Sequence, residues 1–450
     1  MSGLAKYLLE QGCEVSGSDI CDSKYIHQLR DLGATVHIGH NANNVPADCI
    51  VIASTAIRAD NPEIVRAKEL GLQIYHRSDL LAEISRGGKF FIGYAGTHGK
   101  TTTSGLASYV LEKAGLKPSF VVGGIIPEVG TNAQYRDGKH FVAELDESDG
   151  TIVKYTPDTV VINNLEADHL DFYKDGLSAI LDTFQKFLSG LKSDAIILAN
   201  NDSEGVEELI GGCSTVIPNP IYSYGLNDAD YTAQNIVYGE ECTTYDIYYK
   251  GEFLTDMKII LKGVHNVYNS LAVFASLHQD GVDINLIKPH FATFSGMGRR
   301  FQKVGDFNGI ALYDDYAHHP TEIKATLSAA SAFKNHRVIA VFQPHRYTRL
   351  QSLWAEFLNS FDGVDKVIVT DVYAASEDKI EGINSEKFTS ELMSKGIDCE
   401  YLAGDMKSVA QQLYPTLKSG DVVIGLGAGT ITMLGKELLQ LDKEMEKVAG

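Results

Sequence analysis

Residues 96–102, with the sequence GTHGKTT, have the residue types of a phosphate-binding loop. They follow the apolar residues 90–94, which predict a strand that leads directly into the loop. Small residues let backbone N–H groups face phosphate oxygens, and a helix beginning at Lys100 would add the positive end of its dipole. Lys100 would contact the β and γ phosphates of ATP, and the Thr101 hydroxyl would bind Mg²⁺. The G-x-x-G-K-T spacing is tighter than the usual motif, so a chance Gly-Lys-Thr at a helix start is the alternative.

Two residues after predicted strands could hold metal ions beside this loop. Glu144 ends an apolar segment, and His169 closes the sequence NLEADH just after the next one. The carboxyl ends of parallel strands meet at the edge of a sheet where ligands bind, and both residue types can bind cations that offset phosphate charge. Taken singly, each is more often a capping or core-edge residue. The acidic group Glu144, Asp146, Glu147 and Asp149 could equally form a solvated turn.

Two polar segments in the last third of the chain also follow predicted strands and precede predicted helices. They are DDYAHHP at residues 314–320 and QPHRYTR at residues 343–349. We expect both at one rim of a sheet. Arg346 and Arg349 lie three residues apart at a helix start and could jointly hold a carboxylate. The alternative for this pair is a solvated helix face.

The pattern along the chain predicts an α/β protein with three domains, which suits a length of 450 residues. We predict a Rossmann-like N-terminal domain over residues 1–86, a central P-loop ATPase-type domain over 89–296, and a Rossmann-like C-terminal domain over 297–450. In the first, residues 49–53 read as a buried strand and residues 62–70 as a helix capped by Asn61. Polar and apolar residues alternate over 230–262, which predicts antiparallel strands added to the central domain.

Composition narrows the class of protein. The formal charge is −20, which argues against a general nucleic-acid binder and requires a locally positive site for an anionic substrate. Six cysteines without a C-x-x-C pair suggest buried, reduced thiols in a cytoplasmic protein. No apolar run approaches the ~20 residues of a membrane span, and residues 1–10 lack the features of a signal peptide, so we expect no membrane insertion. No pattern indicates an oligomeric state.

Jointly, the motifs resemble the Mur ligase family, whose members join an amino acid to a carboxylate with ATP. The resemblance runs over essentially the whole chain. Its segments are residues 15–19, 96–103, 144–149, 166–169, 265–269, 298–301, 314–320, 342–349 and 427–429.

The resemblance implies a role for each matching position. ATP contacts are implied for the loop residues Gly96, Thr97, His98, Gly99, Lys100, Thr101 and Thr102, for His265, Asn266 and Asn269 near the adenine, and for Arg300 and Asp315 from the third domain. Magnesium ligands are implied at Thr101, Glu144 and His169. Substrate contacts are implied at Ser18 and Asp19 for the UDP substrate, and at Tyr316, His318, Arg346 and Arg349 for the amino acid. The residues expected to act in catalysis are Lys100, His169, His318, Arg346 and Arg349.

Within the family, the motifs best match the member that adds L-alanine to UDP-N-acetylmuramate through an acyl phosphate, an early cytoplasmic step of peptidoglycan synthesis. Sister ligases that add later amino acids carry a carbamylated lysine about fourteen residues after the His169 position, and Thr183 stands there. A recycling ligase that attaches a whole tripeptide is the alternative, but it lacks the HRYTR stretch at residues 345–349.

The start of the chain departs from the family pattern. The first domain normally opens with an apolar strand and a glycine-rich loop that cradles the UDP pyrophosphate. Here residues 1–5, MSGLA, match a segment just inside that loop. We therefore expect the sequence to be shortened by roughly twenty residues, which would leave a truncated Rossmann-like domain.

Two functions from other classes are weaker alternatives. A nicotinamide oxidoreductase could use Asp19 to bind a ribose, but it has no need of the loop at residues 96–103. A regulatory ATP-binding protein without ligase activity would fit a truncated first domain. It would have no need of Glu144, His169, Arg346 and Arg349 together.

Overall fold

The structure is a computed structural model that describes residues 1–449 apart from 56, 171, 214–216, 240, 331, 332, 334 and 376. Its fold is α/β, as predicted, with a large central sheet, a C-terminal sheet and smaller parallel pairs at the N-terminus.

The N-terminal region holds two separate pairs of parallel strands. Its helices are α1 (Ser2–Glu10), α2 (Lys24–Asp31), α3 (Pro62–Glu69) and α4 (Arg77–Ser85), and its strands are β1 (Ser16–Asp19), β2 (Thr35–Ile38), β3 (Val51–Ala53) and β4 (Ile74–His76). β1 pairs with β2, and β3 with β4. The Asn61 side chain accepts a hydrogen bond from the Glu63 amide, which confirms the predicted cap of α3.

Two expectations from the sequence are wrong: the burial of the strand at residues 49–53, and the burial of the cysteines along the whole chain. The segment predicted as a buried strand forms only β3, which is half-buried because it has a single partner strand, and Ile50 before it is 64% exposed. The cysteines are all free, but Cys13 and Cys21 are exposed and only Cys213 and Cys399 are buried. The polar segments around Cys13 and Cys21 provide too little apolar surface to cover a thiol.

The central region is built on one mixed sheet in the order β14-β13-β12-β11-β10-β9-β5-β8-β6-β7. Its strands are β5 (Phe90–Ala95), β6 (Ser119–Ile126), β7 (Thr131–Gln134), β8 (His140–Glu144), β9 (Thr159–Ile162), β10 (Ile196–Asn200), β11 (Ile221–Gly225), β12 (Tyr231–Tyr238), β13 (Thr243–Tyr249) and β14 (Glu252–Ile259), and its helices are α5 (Lys100–Lys113), α6 (Leu177–Ser189), α7 (Glu204–Cys213), α8 (Val264–Gln279) and α9 (Ile284–Phe291). β12, β13 and β14 pair antiparallel, as the alternating pattern predicted.

The middle strand β5 is buried on both faces. Ile92 and Tyr94 point into the apolar cluster that contains α5 and α8, whereas Phe91 and Ala95 point into the cluster that contains α6 and α7. Tyr7 of α1 joins the second cluster, because its ring lies 5.8 Å from that of Phe141. This two-sided core fixes β5, and therefore the loop that follows it.

The C-terminal region has a sheet in the order β15-β16-β20-β17-β18-β19. Its strands are β15 (Gln302–Phe307), β16 (Ile310–Asp315), β17 (Arg337–Phe342), β18 (Lys366–Thr370), β19 (Cys399–Leu402) and β20 (Asp421–Leu426), and its helices are α10 (Pro320–Ala330), α11 (Tyr347–Ser352), α12 (Trp354–Leu358), α13 (Ser385–Ser394), α14 (Met406–Leu413) and α15 (Leu434–Ala449). β16 and β17 both pair parallel with β20, so the polar segments that follow them share one rim, as predicted.

Replacing Val273 with alanine is expected to lower the free energy of unfolding by about 2 kcal/mol. Val273 is fully buried in α8, and the lost methyl groups would leave a cavity. Urea denaturation followed by circular dichroism measures the change. Val264 lies on the same helix but is 44% exposed. Val264→Ala is therefore the matched control, and an equal loss in both variants would contradict the role given to the core.

Candidate active site

The loop between β5 and α5 is shaped by two glycines that no other residue could replace without strain. Gly96 and Gly99 have φ values of +122° and +82°. A Cβ atom would lie 2.8 Å from the Asn164 carbonyl oxygen at Gly96, and 2.7 Å from the Asn269 amide oxygen at Gly99. The loop is therefore pressed between the segment after β9 and the start of α8. The predicted strand, loop and helix are confirmed, which favours a phosphate-binding loop over a chance Gly-Lys-Thr sequence.

The Lys100 side chain folds back over the phosphate loop. Its Nζ donates to the carbonyl oxygens of Gly96 and Thr97 at 2.6 and 3.1 Å, and to Glu147 Oε1 at 2.9 Å. Glu147 is 1% exposed, and burial outweighs the attraction of Lys100 and raises its pKa to about 7. Asp146 and Asp149 are half-buried. The alternative of a solvated acidic turn is therefore wrong, because this segment packs under the loop.

Glu144 and Thr101 each pack against one of two adjacent glycines of β6. A Cβ atom at Gly123 would collide with the Glu144 carboxylate, and one at Gly124 would lie 3.3 Å from Thr101 Cγ2. Glu144 Oε2 is buried and has no hydrogen-bond partner. A buried, unpartnered carboxylate oxygen suits a hard cation such as Mg²⁺, which prefers oxygen ligands.

His169 lies in the loop after β9 with a φ of +52°, which is uncommon for a residue with a side chain. Burial lowers the pKa of its ring, and the charges of Arg349 and Lys100 lower it further against the opposing effect of Asp168. His169 also lines the cavity that Arg346 and Arg349 share. A neutral imidazole there is able to bind a metal ion.

The start of α8 and the linker before β15 both pack close to the loop, since Asn269 faces Gly99 and Met297 faces Gly105 of α5. Asn269 donates to Asn266 Oδ1 at 3.1 Å, and Asn266 donates to the Lys262 carbonyl oxygen at 2.7 Å. Burial and the charge of Arg300 lower the pKa of His265 to about 4. The structure therefore brings the predicted nucleotide contacts of α8 together with Arg300 of the linker.

Asp315, a predicted nucleotide contact, also binds backbone amides on both sides of β16. Its two carboxylate oxygens accept hydrogen bonds from the amides of Phe301 and Ala317, both at 2.7 Å. Burial raises its pKa to about 6, against the attraction of Arg300. Since Phe301 has a φ of +48°, these bonds hold a strained segment of the linker against the end of β16.

A small cavity opens between the central and C-terminal regions. It is lined by Asp168, His169 and Leu170 from one side, and by Arg346, Thr348, Arg349, Ser352 and Leu353 from the other. Arg349 Nε lies 3.7 Å from Asp168 Oδ1, and its side chain is 9% exposed. The solvated-face alternative is therefore wrong for Arg349. Both predicted arginines face one cavity together with His169.

Tyr316 and His318 connect to Arg349 through ring contacts, with the rings of Tyr316 and His318 5.1 Å apart. The rings of His318 and His345 are 5.8 Å apart, and His345 Nδ1 lies 3.2 Å from Arg349 Nη1. Burial lowers the pKa of His318 to about 4, so its ring is neutral. The Tyr316 ring lies 5.3 Å from the Arg300 guanidinium, so the predicted amino-acid contact Tyr316 and the predicted nucleotide contact Arg300 are neighbours.

Glu322, in the first turn of α10, was not predicted as a site residue. Its carboxylate lies 3.5 Å from His98 Nδ1 and 3.3 Å from Arg300 Nη1, and it accepts the His318 amide at 3.0 Å. These neighbours hold its pKa well below the usual range despite burial. Glu166 also contacts the facing region, since it accepts a hydrogen bond from Thr321 Oγ1 at 2.8 Å. A glutamate at the third position of a predicted helix was the available signal.

Ser18 and Asp19 lie apart from the phosphate loop. Ser18 Oγ donates to Glu63 Oε2 at 2.6 Å and lies 2.9 Å from His40 Nδ1, while Asp19 accepts the Cys21 amide at 3.1 Å. Both end β1, the position that Rossmann-like folds use to bind ribose and neighbouring groups. Their role in binding a UDP substrate stays a prediction.

His98 is expected to titrate with a midpoint near pH 9. Burial lowers its pKa, but contacts with Glu166 and Glu322 outweigh burial and raise it to about 9. The pKa of His98 in the folded state lies above its value of about 6.5 in the unfolded state. The protonated ring therefore stabilises the folded state fully below about pH 6.5, and this stabilisation is lost as the pH rises through 9. NMR of ¹³C-labelled histidine ring carbons, with EDTA present, measures the midpoint.

Glu322→Gln should lower that midpoint by about one unit or more, because one of two carboxylates is removed. Glu83→Gln is the control, since Glu83 is an exposed residue of α4. A His98 midpoint that Glu322→Gln leaves unchanged would contradict the contact across the two regions.

Among the described residues, no helix combines the length and the apolar character needed to cross a membrane.

Three regions of the chain match descriptions of one family. Residues 1–89 match the Mur ligase family catalytic domain, residues 95–277 the Mur ligase middle domain, and residues 299–429 the Mur ligase glutamate ligase domain. The UDP-N-acetylmuramate–L-alanine ligase of Geotalea daltonii is 39% identical over 445 residues, which cover 99% of this chain and 96% of that protein. The ligase of the same name from Pelobacter propionicus is 40% identical over 443 residues, or 98% and 95%.

Two solved structures share the fold of this chain. The UDP-N-acetylmuramate–alanine ligase of Thermotoga maritima superimposes with a TM-score of 0.83 at 26% identity, covering 99% of this chain and 97% of that one. The murein peptide ligase of Psychrobacter arcticus has the same fold, with a TM-score of 0.75 at 23% identity over 98% and 96%. The chain is an enzyme of the ligase class and belongs to the Mur ligase family.

Proposed function

We propose that the protein joins L-alanine to the carboxylate of UDP-N-acetylmuramate with ATP, through an acyl phosphate, as an early cytoplasmic step of peptidoglycan synthesis. One observation carries this proposal. The cavity that holds Arg346 and Arg349 is also lined by His169, the predicted magnesium ligand, so a small amino acid bound there would lie next to the metal ion and the phosphoryl group that the ion would hold.

The first step is phosphoryl transfer. The carboxylate of the UDP substrate attacks the γ-phosphorus of ATP, the bond to the bridging oxygen breaks, and ADP leaves. Lys100 would exchange its contact with Glu147 for the phosphate oxygens and offset their charge. Thr101, Glu144 and His169 would hold Mg²⁺, which supplies further positive charge to the transferring group.

The second step is amide formation. Arg346 and Arg349 would bind the carboxylate of alanine, which directs its neutral amine at the acyl carbon, and phosphate leaves as the amine loses a proton. Such positioning supplies several kcal/mol of a barrier. His318 is linked to Arg349 through His345, and with Tyr316 it would contact the bound amino acid.

Two features favour a single amino acid over a tripeptide as the second substrate. The cavity lies between packed elements of two regions and is small, and Arg346 and Arg349 of the HRYTR stretch line it. Thr183 donates to the Ala179 carbonyl oxygen within α6 at 2.9 Å, at the position where sister ligases carry a modified lysine.

Phosphate release with defined substrates tests the proposal. ATP, Mg²⁺ and UDP-N-acetylmuramate are supplied with L-alanine, L-serine, glycine, the tripeptide of the recycling ligase, or no second substrate. We expect release that depends on both substrates and is fastest with L-alanine. Release that requires the tripeptide would favour the recycling activity, and no amine-dependent release would refute ligation by this protein.

A further inference from the structure

A cluster of two histidines and a glutamate lies where the central and C-terminal regions meet. His98 of the phosphate loop, Glu166 of the segment after β9 and His319 before α10 each place one ligand atom within 4.8 Å of the others. We propose that these three residues form a site for a transition-metal ion of the Zn²⁺ class, separate from the magnesium site at Thr101, Glu144 and His169.

The ligand set is the first argument. Two imidazoles and one carboxylate suit Zn²⁺, Co²⁺ or Fe²⁺, whereas Mg²⁺ prefers a shell of oxygen ligands. Tetrahedral bonds of about 2.1 Å place ligand atoms about 3.4 Å apart. His98 Nε2 and Glu166 Oε2 already lie 3.5 Å apart, so movement of the His319 ring by roughly 1 Å completes the arrangement.

Unpartnered buried nitrogens are the second argument. The Nε2 atoms of both His98 and His319 are buried and make no hydrogen bond: His98 Nε2 has only the 3.5 Å ion-pair contact with Glu166, and His319 is 5% exposed. A bound ion would displace the proton that the two glutamates favour on His98. The two rings lie 4.9 Å apart. Buried ring nitrogens without partners are costly, and a bound cation would remove that cost for both at once.

The surroundings are the third argument. His98 Nδ1 faces Glu322 Oε1 at 3.5 Å, and a carboxylate behind a ligating histidine fixes the ring and strengthens its ligand nitrogen. Glu166 is held by Thr321. His319 would give up only the long 3.4 Å contact that its Nδ1 receives from the Thr321 amide. Two carboxylates near the site supply the negative charge that a divalent ion needs.

An ion at this site would link the two regions, since His98 and Glu166 belong to the central one and His319 to the C-terminal one. It would also lie beside the phosphate loop without using Lys100 or Thr101. The ion would therefore bind the central and C-terminal regions to each other in the arrangement that the structure shows.

Cobalt titration of the full-length, nucleotide-free protein tests the proposal, with excess Mg²⁺ present to occupy oxygen-rich sites. We expect one equivalent of Co²⁺ to bind with visible d–d absorption and without the near-ultraviolet band of a thiolate ligand, and one equivalent of Zn²⁺ to displace it. A thiolate band would assign the ion to the cysteines instead, and no visible band would overturn the proposal.

Variants of the proposed ligands in both regions test which residues bind the ion. His319→Gln and Glu166→Gln should each weaken Co²⁺ binding at least tenfold. His336→Gln, a change at an exposed histidine of the C-terminal region, and His169→Asn, a change at the predicted magnesium ligand, should leave it unaltered. Near-ultraviolet circular dichroism confirms that each variant folds. Loss of binding in His169→Asn, or full binding in a folded His319→Gln or Glu166→Gln, would overturn the proposal.

Discussion

Replacing Lys100 with alanine is expected to slow alanine-dependent phosphate release at least about a thousandfold, equivalent to about 4 kcal/mol of transition-state stabilisation. Lys100 is the cation that lies across the phosphate loop, and no described arginine or lysine contacts Gly96 and Thr97 in its place. Steady-state kinetics at saturating substrates measure the loss, which should fall on kcat rather than on KM for alanine.

The variant should still fold. Removing Lys100 leaves Glu147 buried, but burial already raises the pKa of Glu147 to about 7, so this side chain can take a proton instead of staying as an unpaired charge. Lys113→Ala is the matched control, because Lys113 is an exposed lysine at the other end of the same helix. Substantial turnover in Lys100→Ala would show that the loop does not hold the reacting phosphate.

The parts of the site that could be predicted from sequence are those that short segments determine. An apolar run followed by glycines predicted β5 and its loop, because the run needs two buried faces and the loop needs positive φ angles. The rim of the C-terminal sheet was predicted for a similar reason, since parallel strands of one sheet end at the same edge.

The parts that could not be predicted depend on contacts between distant segments. Glu322 has an ordinary sequence context for a helix start, and only the meeting of two regions brings it to His98 and Arg300. Asp315 was predicted as a nucleotide contact, but its hydrogen bonds to the linker backbone are visible only in the structure. β15 was missed because an edge strand with polar residues lacks a clear apolar pattern.

Arg349 differs from Lys100 in its ionic partner, which is Asp168. Its guanidinium is buried beside Asp168, and the neighbouring His169 ring and Arg349 guanidinium hold the pKa of Asp168 well below its usual range despite burial. In the absence of substrate, Asp168 therefore keeps Arg349 in place with its positive charge intact. A substrate carboxylate that enters the cavity would meet a cation whose position is already fixed, which lowers the ordering cost of binding.

Replacing Arg349 with alanine is therefore expected to raise KM for alanine about a hundredfold, which corresponds to about 2.7 kcal/mol, with a smaller effect on kcat. The KM values for ATP and for UDP-N-acetylmuramate should change less than about threefold, because those substrates would bind through other residues. Initial rates over a range of alanine concentrations measure the change. Arg349→Lys should recover part of the loss, since it keeps the charge without the planar fork.

Arg86→Ala is the control for a general effect of lost positive charge, because Arg86 is an exposed residue just after α4. The comparison with Lys100→Ala is decisive, because the two changes should affect different kinetic constants. If Arg349→Ala lowered kcat a thousandfold at an unchanged KM for alanine, Arg349 would act on the transferring phosphate instead. If both constants were unchanged, alanine would bind outside the cavity between His169 and Arg346, and the assignment of that cavity to the amino acid would be wrong.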